Sequence, residues 1–182
     1  MNILVVYKSK TAFTKRYAEM IAEEVECTVM ELKDVTPELI SDYDIFVYGG
    51  GLYAGMINGL KQAKELFSKS RAKELVIFAT GATPNEAGNA ILDEMWKNNL
   101  TPEELESTAH FYMQSGLDYK NMKVPDKMIM KMMSFVLSKQ KNKSEYDAGF
   151  EQAIRSSYDI TSKEYAIPLI EYLTKLNICN PK

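Results

Sequence analysis

Three hydroxyl side chains stand close together near the start of the chain, at Ser9, Thr11 and Thr14. They follow a short apolar run and come directly before an amphipathic stretch with helical spacing. Hydroxyls at the N-terminus of a helix can hold a phosphate by neutral hydrogen bonds, helped by unpaired amides and the positive end of the helix dipole. The spacing therefore indicates a site for a phosphomonoester. The alternative is that Thr11 or Thr14 simply caps the helix.

The same loop lacks the signatures of two other phosphate sites. It has neither the Gly-Lys-Ser/Thr ending of a P-loop nor the Gly-x-Gly-x-x-Gly of a dinucleotide-binding turn, so ATP and NAD lose support as ligands. A receiver-type phosphorylation domain is also disfavoured. The third apolar run ends at Tyr48 and Gly49 without an acceptor aspartate, and Tyr7 and Lys8 stand where an acidic pair would be expected.

Two further segments combine small and polar residues, at residues 49–55 and 80–85. Glycines let a backbone approach a flat ligand closely, and Tyr53 is an aromatic side chain that could stack on one. The alternative for Tyr53 is an ordinary aromatic at the edge of the core. The alternative for residues 80–85 is a turn in which Thr83 or Asn85 caps the next helix, with Pro84 as an early helical residue.

Apolar runs with the composition of buried strands alternate with amphipathic stretches. The predicted strands cover residues 3–7, 27–32, 45–48, 75–79 and 109–113, and the predicted helices include residues 13–25, 60–67, 87–97 and 166–176. Such alternation predicts an α/β fold, with a parallel sheet covered by helices on both faces. Ligands of these sheets lie beyond the C-terminal ends of the strands. The three loops follow the first, third and fourth strands, so we expect them to form one site.

The hydroxyl loop, Ser-Lys-Thr-Ala-Phe-Thr at residues 9–14, resembles the phosphate loop of the flavodoxin family, Ser/Thr-x-Thr-Gly-x-Thr. Ala12 stands at the place of the usual glycine, where a positive φ would cost alanine about 1 kcal/mol. The resemblance runs over nearly the whole chain. It implies a single flavodoxin-like domain over residues 1–178, built as a three-layer sandwich with a five-stranded parallel sheet in the order 2-1-3-4-5.

The flavodoxin resemblance also implies FMN as the cofactor and assigns residues to it. The phosphate would be contacted by the hydroxyls of Ser9, Thr11 and Thr14 and by the backbone amides of Lys10, Ala12 and Phe13. The isoalloxazine ring would lie against Gly50, Gly51, Leu52, Tyr53, Ala54 and Gly55 of one loop and Thr80, Gly81, Ala82, Thr83 and Asn85 of the other.

Within the family, the chain looks closest to the flavodoxin-domain group that includes menaquinone-dependent protoporphyrinogen IX dehydrogenase. Residues 50–55 before a helix, and residues 116–120 leading into residues 124–133, carry this likeness. It implies an FMN-dependent oxidoreductase that oxidises protoporphyrinogen or a related donor with a quinone acceptor. Because the flavin does the chemistry, no acid, base or nucleophile is assigned.

Two alternatives to the enzyme stay open. One is a flavodoxin electron carrier with a redox protein as partner, and the other is an α/β binding module that has lost flavin. Electron-carrier flavodoxins usually enclose the flavin between two aromatics, one from each loop, and residues 80–85 contain none. A flavin face left open to a substrate favours the enzyme.

A segment rich in methionine and lysine, at about residues 117–146, precedes the last predicted helix. Adaptable apolar side chains combined with positive charge suit a porphyrinogen, a quinone or an anionic membrane surface, so peripheral membrane contact is one expectation. The alternative is a helix that packs on the sheet with solvated lysines.

The composition excludes several classes of protein. Of the 182 residues, 46% are hydrophobic and 26% charged, which is ordinary globular usage. The apolar runs fall short of the ~20 residues that span a bilayer and no export signal is visible, so we expect a cytoplasmic protein. A net charge of −3 gives no reason to expect nucleic-acid binding. Cys27 and Cys179 lack metal-ligand spacing, so we expect free thiols and no metal site.

Overall fold

The computed structural model describes residues 1–85, 89–119, 127–128, 132, 139 and 156–179. The chain forms two compact units, one made of Met1–Gln114 with Thr161–Lys182 and the other of Ser115–Ile160. The single domain over residues 1–178, with an insertion at about 117–146, stays a prediction. Elements are numbered below in chain order over the described residues.

The first unit is built on a parallel sheet. Its strands are β1 (Ile3–Lys8), β2 (Thr28–Glu31), β3 (Ile45–Tyr53), β5 (Glu74–Gly81) and β6 (Ala109–Gln114), and they lie in the order β2-β1-β3-β5-β6. A short strand, β4 (Met56–Ile57), pairs antiparallel with β3 away from this path. Counting the parallel strands alone, the order is the predicted 2-1-3-4-5. The α/β, flavodoxin-like fold class is therefore confirmed.

Helices connect these strands. They are α1 (Phe13–Glu24), α2 (Pro37–Ile40), α3 (Leu60–Ser68), α4 (Ala90–Asn99), α5 (Pro102–Ser107) and α6 (Ile167–Cys179), with 3₁₀ turns at Leu32–Asp34 and Lys163–Tyr165. Local sequence explains several boundaries. Thr101 and Glu104 form a capping box at the start of α5, and Thr36 caps α2 just before Pro37.

The central strands are buried on both faces, because alternate residues point into two separate cores. On one face Leu4, Phe46 and Ile77 pack with apolar residues of α3 and α4. On the other face Val5 and Val47 pack with apolar residues of α1 and α6. The continuous apolar runs of the sequence reflect this double burial.

The third strand is longer than predicted. It continues through residues 49–53 and turns at Ala54 and Gly55, where φ is 49° and 78°, into the hairpin partner β4. Gly49 has no room for a side chain, because a Cβ there would lie 2.0 Å from the Phe78 ring of the neighbouring strand. Residues 49–53 therefore form the C-terminal part of a strand, and the loop shrinks to a two-residue turn.

The start of α4 also differs from the prediction. The helix begins at Ala90, and the Asn89 side chain caps it by accepting from the Ile91 amide at 3.0 Å. The prediction that Thr83 or Asn85 caps this helix, with Pro84 inside it, is wrong. An asparagine nearer to the helix satisfies its first amides.

In the second unit, Leu117 and Tyr158 form an isolated antiparallel bridge with two backbone hydrogen bonds of 2.9 Å. Most of the methionine- and lysine-rich segment lies outside the described residues. Of the helices within the described ranges, none has both the length and the hydrophobicity that a bilayer crossing needs.

Candidate functional site

Three strand ends meet at one edge of the sheet. The register pairs Lys8 of β1 with Gly50 of β3, and Gly51 of β3 with Thr80 of β5. The hydroxyl loop that follows β1, the hairpin end of β3 and the loop that follows β5 are thereby brought together. This is the C-terminal edge, where parallel α/β sheets collect ligands.

The hydroxyl loop enters α1 through a left-handed residue. Ala12 is the N-cap of the helix, with φ 65° and ψ −11°, and no side chain forms a capping hydrogen bond there. The alternative that Thr11 or Thr14 caps α1 is therefore wrong. The amides of the first helical turn have no partner within the helix, so they stay available to an external acceptor.

Ser9 supplies a buried hydroxyl to the same loop. Among the side chains that the structure describes, Ser9 Oγ is buried without any hydrogen-bond partner. A buried hydroxyl left unpaired costs roughly 1–3 kcal/mol, so native proteins seldom keep one without a reason. An anion with several acceptor oxygens, seated on this loop, would satisfy Ser9 and the first amides of α1 together. The residues present thus fit a phosphate.

Thr14 is tied to the neighbouring strand. Its Oγ1 lies 2.8 Å from the Oγ1 of Thr80, and the two residues are only 1% and 3% exposed. A Cβ at Gly51 would lie 3.4 Å from Thr14 Oγ1 and 3.7 Å from Thr80 Oγ1. The absent side chain at Gly51 leaves room for the hydroxyl pair, which joins the hydroxyl loop to the end of β5.

The hairpin presents Tyr53 at the rim of this edge. Tyr53 is 39% exposed, and the Lys10 Nζ lies 4.0 Å from the centroid of its ring. This cation–π contact connects the hydroxyl loop to the hairpin and places a positive charge beside both. Leu52, Ala54 and Gly55 complete the hairpin end around Tyr53.

The loop after β5 is held by residues of β6. The Tyr112 hydroxyl donates to the Thr83 carbonyl at 2.8 Å, and the Asn85 amide donates to Gln114 Oε1 at 3.0 Å. Gly81 passes close to the hairpin, since a Cβ there would lie 2.9 Å from Leu52 Cδ1. The loop therefore offers backbone and small side chains, with no aromatic ring among residues 80–85.

Sequence reasoning missed the side chains that support this site from a distance. Tyr112 and Gln114 lie at the end of β6, and Asn99 ends α4. A signal for the first two existed, because polar groups at a strand's C-terminal end lie at the ligand edge of such a sheet. No comparable signal marks Asn99.

The site offers few groups for proton transfer. Burial raises the pKa of Tyr48 far above its usual range, and its hydroxyl donates to the Asn58 carbonyl at 2.5 Å. Tyr48 thus acts as a neutral structural donor beneath the hairpin. Within the described ranges, no group of His, Cys, Asp and Glu residues is placed to hold a metal ion.

Comparison with known proteins gives one sequence relative and several similar structures. An uncharacterized protein of Methanocaldococcus jannaschii is 32% identical over 91 residues, which is 46% of this chain and 57% of that protein. The match thus spans little more than half of the relative's length.

The similar solved structures include a flavoprotein from Lactobacillus acidophilus in complex with FMN, at 16% identity and a TM-score of 0.43, covering 62% of this chain and 91% of that one. A WrbA-like flavodoxin from Agrobacterium tumefaciens is 19% identical with a TM-score of 0.44, covering 85% of this chain and 97% of that one.

The family model described as flavodoxin domain matches residues 4–145 of the 182. This range runs from the second residue of β1 through β6 and includes all three loops at the C-terminal edge of the sheet. The match agrees with the strand order and with the hydroxyl loop between β1 and α1. The chain belongs to the flavodoxin domain family.

Proposed function

We propose that this chain binds FMN at the C-terminal edge of its sheet and acts as an FMN-dependent oxidoreductase. One observation carries the cofactor assignment: Ser9 Oγ is buried without a partner, in a loop whose helix start has no capping side chain. Membership of the flavodoxin domain family points to the same cofactor.

The hydroxyl loop would hold the phosphate of FMN. Ser9, Thr11 and Thr14 would donate from their hydroxyls, and the amides of Lys10, Ala12 and Phe13 would donate from the backbone. Neutral donors at a helix N-terminus can bind the terminal phosphate of a ligand when that phosphate lies inside the protein. Lys10 is the cation beside this loop.

The other two loops would hold the ring. Bound FMN supplies hydride and electron transfer, while the protein orients it and excludes competing reactions. Residues 50–55 would lie along one side with Tyr53 stacked on the ring, and Gly81, Ala82, Thr83 and Asn85 would line the other side. Because residues 80–85 contain no aromatic side chain, a substrate could reach the ring there.

We further propose a porphyrinogen or a related apolar ring system as the electron donor and a quinone as the acceptor. Both carry apolar rings, as a substrate that meets an open flavin face should. Exposed Met56, beside Tyr53 on the hairpin, adds apolar surface at the same rim. The proposal includes a cytoplasmic location with peripheral contact to a membrane, because quinones dissolve in membranes.

The first experiment replaces Ser9 with alanine and measures the dissociation constants of FMN and riboflavin by flavin fluorescence. Ser9→Ala should weaken FMN roughly 10-fold or more through loss of a charge-assisted hydrogen bond, and leave riboflavin unchanged. The ligand-free variant should be more stable than the wild type, because the unpaired hydroxyl is gone. Ser107→Ala, an exposed serine of α5, is the matched control.

Wild-type protein without any affinity for FMN would contradict the cofactor assignment and favour a flavin-free binding module. Turnover of a porphyrinogen with a quinone by the FMN-loaded protein would support the enzyme. Stepwise reductive titration separates the carrier: two well-resolved one-electron steps, with no turnover of any quinone or porphyrinogen, would assign the electron-carrier role instead.

A further inference from the structure

We infer that Thr80 is a positioning residue for the phosphate group of the ligand, acting through Thr14 and not on the flavin itself. This inference rests on the proposed function and deepens it, because it specifies which part of the ligand the end of β5 recognises. The resemblance alone would place Thr80 against the isoalloxazine ring. The hydrogen bond between the Thr14 and Thr80 hydroxyls points instead to the phosphate.

The geometry of the pair leaves Thr80 little freedom. The two Oγ1 atoms are 2.8 Å apart although the residues are 66 positions apart in the chain, and both side chains are buried. Thr14 ends the hydroxyl loop and lies in the first turn of α1, whereas Thr80 is held in β5 by its pairing with Gly51 and Met113. A rigid strand thus fixes the Thr14 hydroxyl.

Hydrogen-bond chemistry sets the direction of this bond once a phosphate binds. A threonine hydroxyl has one hydrogen to donate, and an ionised phosphate can only accept. To contact the phosphate, Thr14 must donate its hydrogen outward, so Thr80 must be the donor within the pair. Donation by Thr80 also polarises the Thr14 hydroxyl and so strengthens the hydrogen bond from Thr14 to the phosphate.

This arrangement acts on the phosphate alone. Riboflavin lacks a phosphate, so Thr14 has no anion to which it can donate a hydrogen bond. The direction of the hydrogen bond between Thr14 and Thr80 should therefore not affect riboflavin binding. The Thr80 hydroxyl should therefore contribute to the ratio of riboflavin to FMN dissociation constants and not to the riboflavin constant. A residue that touched the ring would change both constants together.

A double-mutant cycle on the full chain tests the inference, with the variants Thr14→Val, Thr80→Val and the double variant. The dissociation constants of FMN and riboflavin are measured for each. Thr80→Val should weaken FMN roughly 5- to 10-fold and Thr14→Val roughly 10- to 100-fold, with riboflavin unchanged in both. In the Thr14→Val background, Thr80→Val should add nothing, because its effect passes through Thr14.

Two further variants serve as controls for this experiment. Thr80→Ser keeps the hydroxyl and should restore FMN affinity to within about 2-fold of the wild type, since the donor remains. Thr174→Val, on an exposed position of α6 whose hydroxyl donates to the Ile170 carbonyl, is the control for the substitution itself. An unchanged riboflavin constant also shows that a variant has kept its folded site.

The outcomes separate the two proposals. Equal weakening of FMN and riboflavin by Thr80→Val, or additive losses in the double variant, would overturn the positioning role while leaving FMN binding intact. So would an unchanged FMN constant in Thr80→Val. Wild-type protein that fails to bind FMN would overturn the proposed function and this inference together.

Discussion

The side-chain amide of Asn99 donates a hydrogen bond of 2.8 Å to the carbonyl of Gly55, at the tip of the β3–β4 hairpin. The carbonyl oxygen of the same side chain accepts from the Ile57 amide, also at 2.8 Å. One residue at the end of α4 therefore satisfies a backbone group of the turn and a backbone group of β4. Because this hairpin carries Tyr53, Asn99 sets where the exposed ring stands.

Replacing Asn99 with alanine should loosen the hairpin. Two backbone groups would lose their partner, and we expect the free energy of unfolding to fall by about 1–3 kcal/mol. Hydrogen exchange at the Ile57 amide should become faster, which mass spectrometry of hairpin peptides can follow. Asn98→Ala, on the exposed side of the same helix, is the matched control. Unchanged hydrogen-exchange protection of the Ile57 amide in Asn99→Ala would contradict this role of Asn99.

Replacing Ala12 with glycine should stabilise the protein. Ala12 has a φ of 65°, a left-handed conformation in which a Cβ is unfavourable, so glycine should raise the free energy of unfolding by about 0.5–1 kcal/mol. Ala22→Gly, inside α1, should lower it by about 1 kcal/mol, because glycine is a poor helix former. Chemical denaturation measures both. Equal destabilisation by the two substitutions would show that Ala12 carries no strain.

Replacing Tyr53 with leucine should weaken FMN and riboflavin equally. If the ring stacks on the flavin, its loss should raise both dissociation constants by roughly 3- to 10-fold, which corresponds to an aromatic contact of about 1 kcal/mol. Tyr53→Phe keeps the ring and should keep the affinity. Fluorescence titration with the two ligands checks this result. If only the FMN dissociation constant changed, Tyr53 would be assigned to the phosphate and not to the isoalloxazine ring.

Stability should fall at alkaline pH through Tyr172. Burial and a 2.5 Å hydrogen bond to Glu74 raise the pKa of Tyr172 to about 12, so the folded state favours the neutral phenol. The stabilisation is complete below pH 10, the ordinary value, and is lost as the pH rises from about 10 to about 12.

The test compares the wild type with Tyr172→Phe by urea denaturation at several pH values from 8 to about 12. The variant cannot ionise at this position, so its stability should decline less steeply over that interval than that of the wild type. Thr174→Val, a non-ionising substitution at an exposed position of the same helix, should decline like the wild type. Identical slopes for wild type and Tyr172→Phe would refute the assignment.

Local patterns in the sequence were enough to predict the sheet. Runs such as residues 3–7 and 75–79 are short and apolar without alternation, which is typical of a strand buried on both faces. The alternation with amphipathic stretches and the right-handed crossover rule then left few arrangements, and the flavodoxin resemblance implied the order that the structure shows. The position of the hydroxyl loop, between β1 and α1, followed directly from these two elements.

Backbone conformation and strand limits needed the tertiary structure. Thr11 and Thr14 have the side chains of helix caps, yet the chain reaches α1 through Ala12 and leaves both out of that role. The glycines after Tyr48 have the composition of a loop, yet they continue β3, and at Gly49 the Phe78 ring occupies the space that a side chain would need. Neither outcome is encoded in neighbouring residues.

The sequence by itself determined the α/β class and the edge of the sheet at which the site lies, because these depend on apolar patterns within short segments. The hydroxyl loop then carried the resemblance that implied the family and its strand order. Only the tertiary structure decided what each side chain touches. Thr14 meets Thr80 across 66 positions, and Asn99 meets Gly55 across 44. The physical reason is that hydrogen bonds form between groups that packing brings to within about 3 Å, and strand pairing sets those distances over the whole fold.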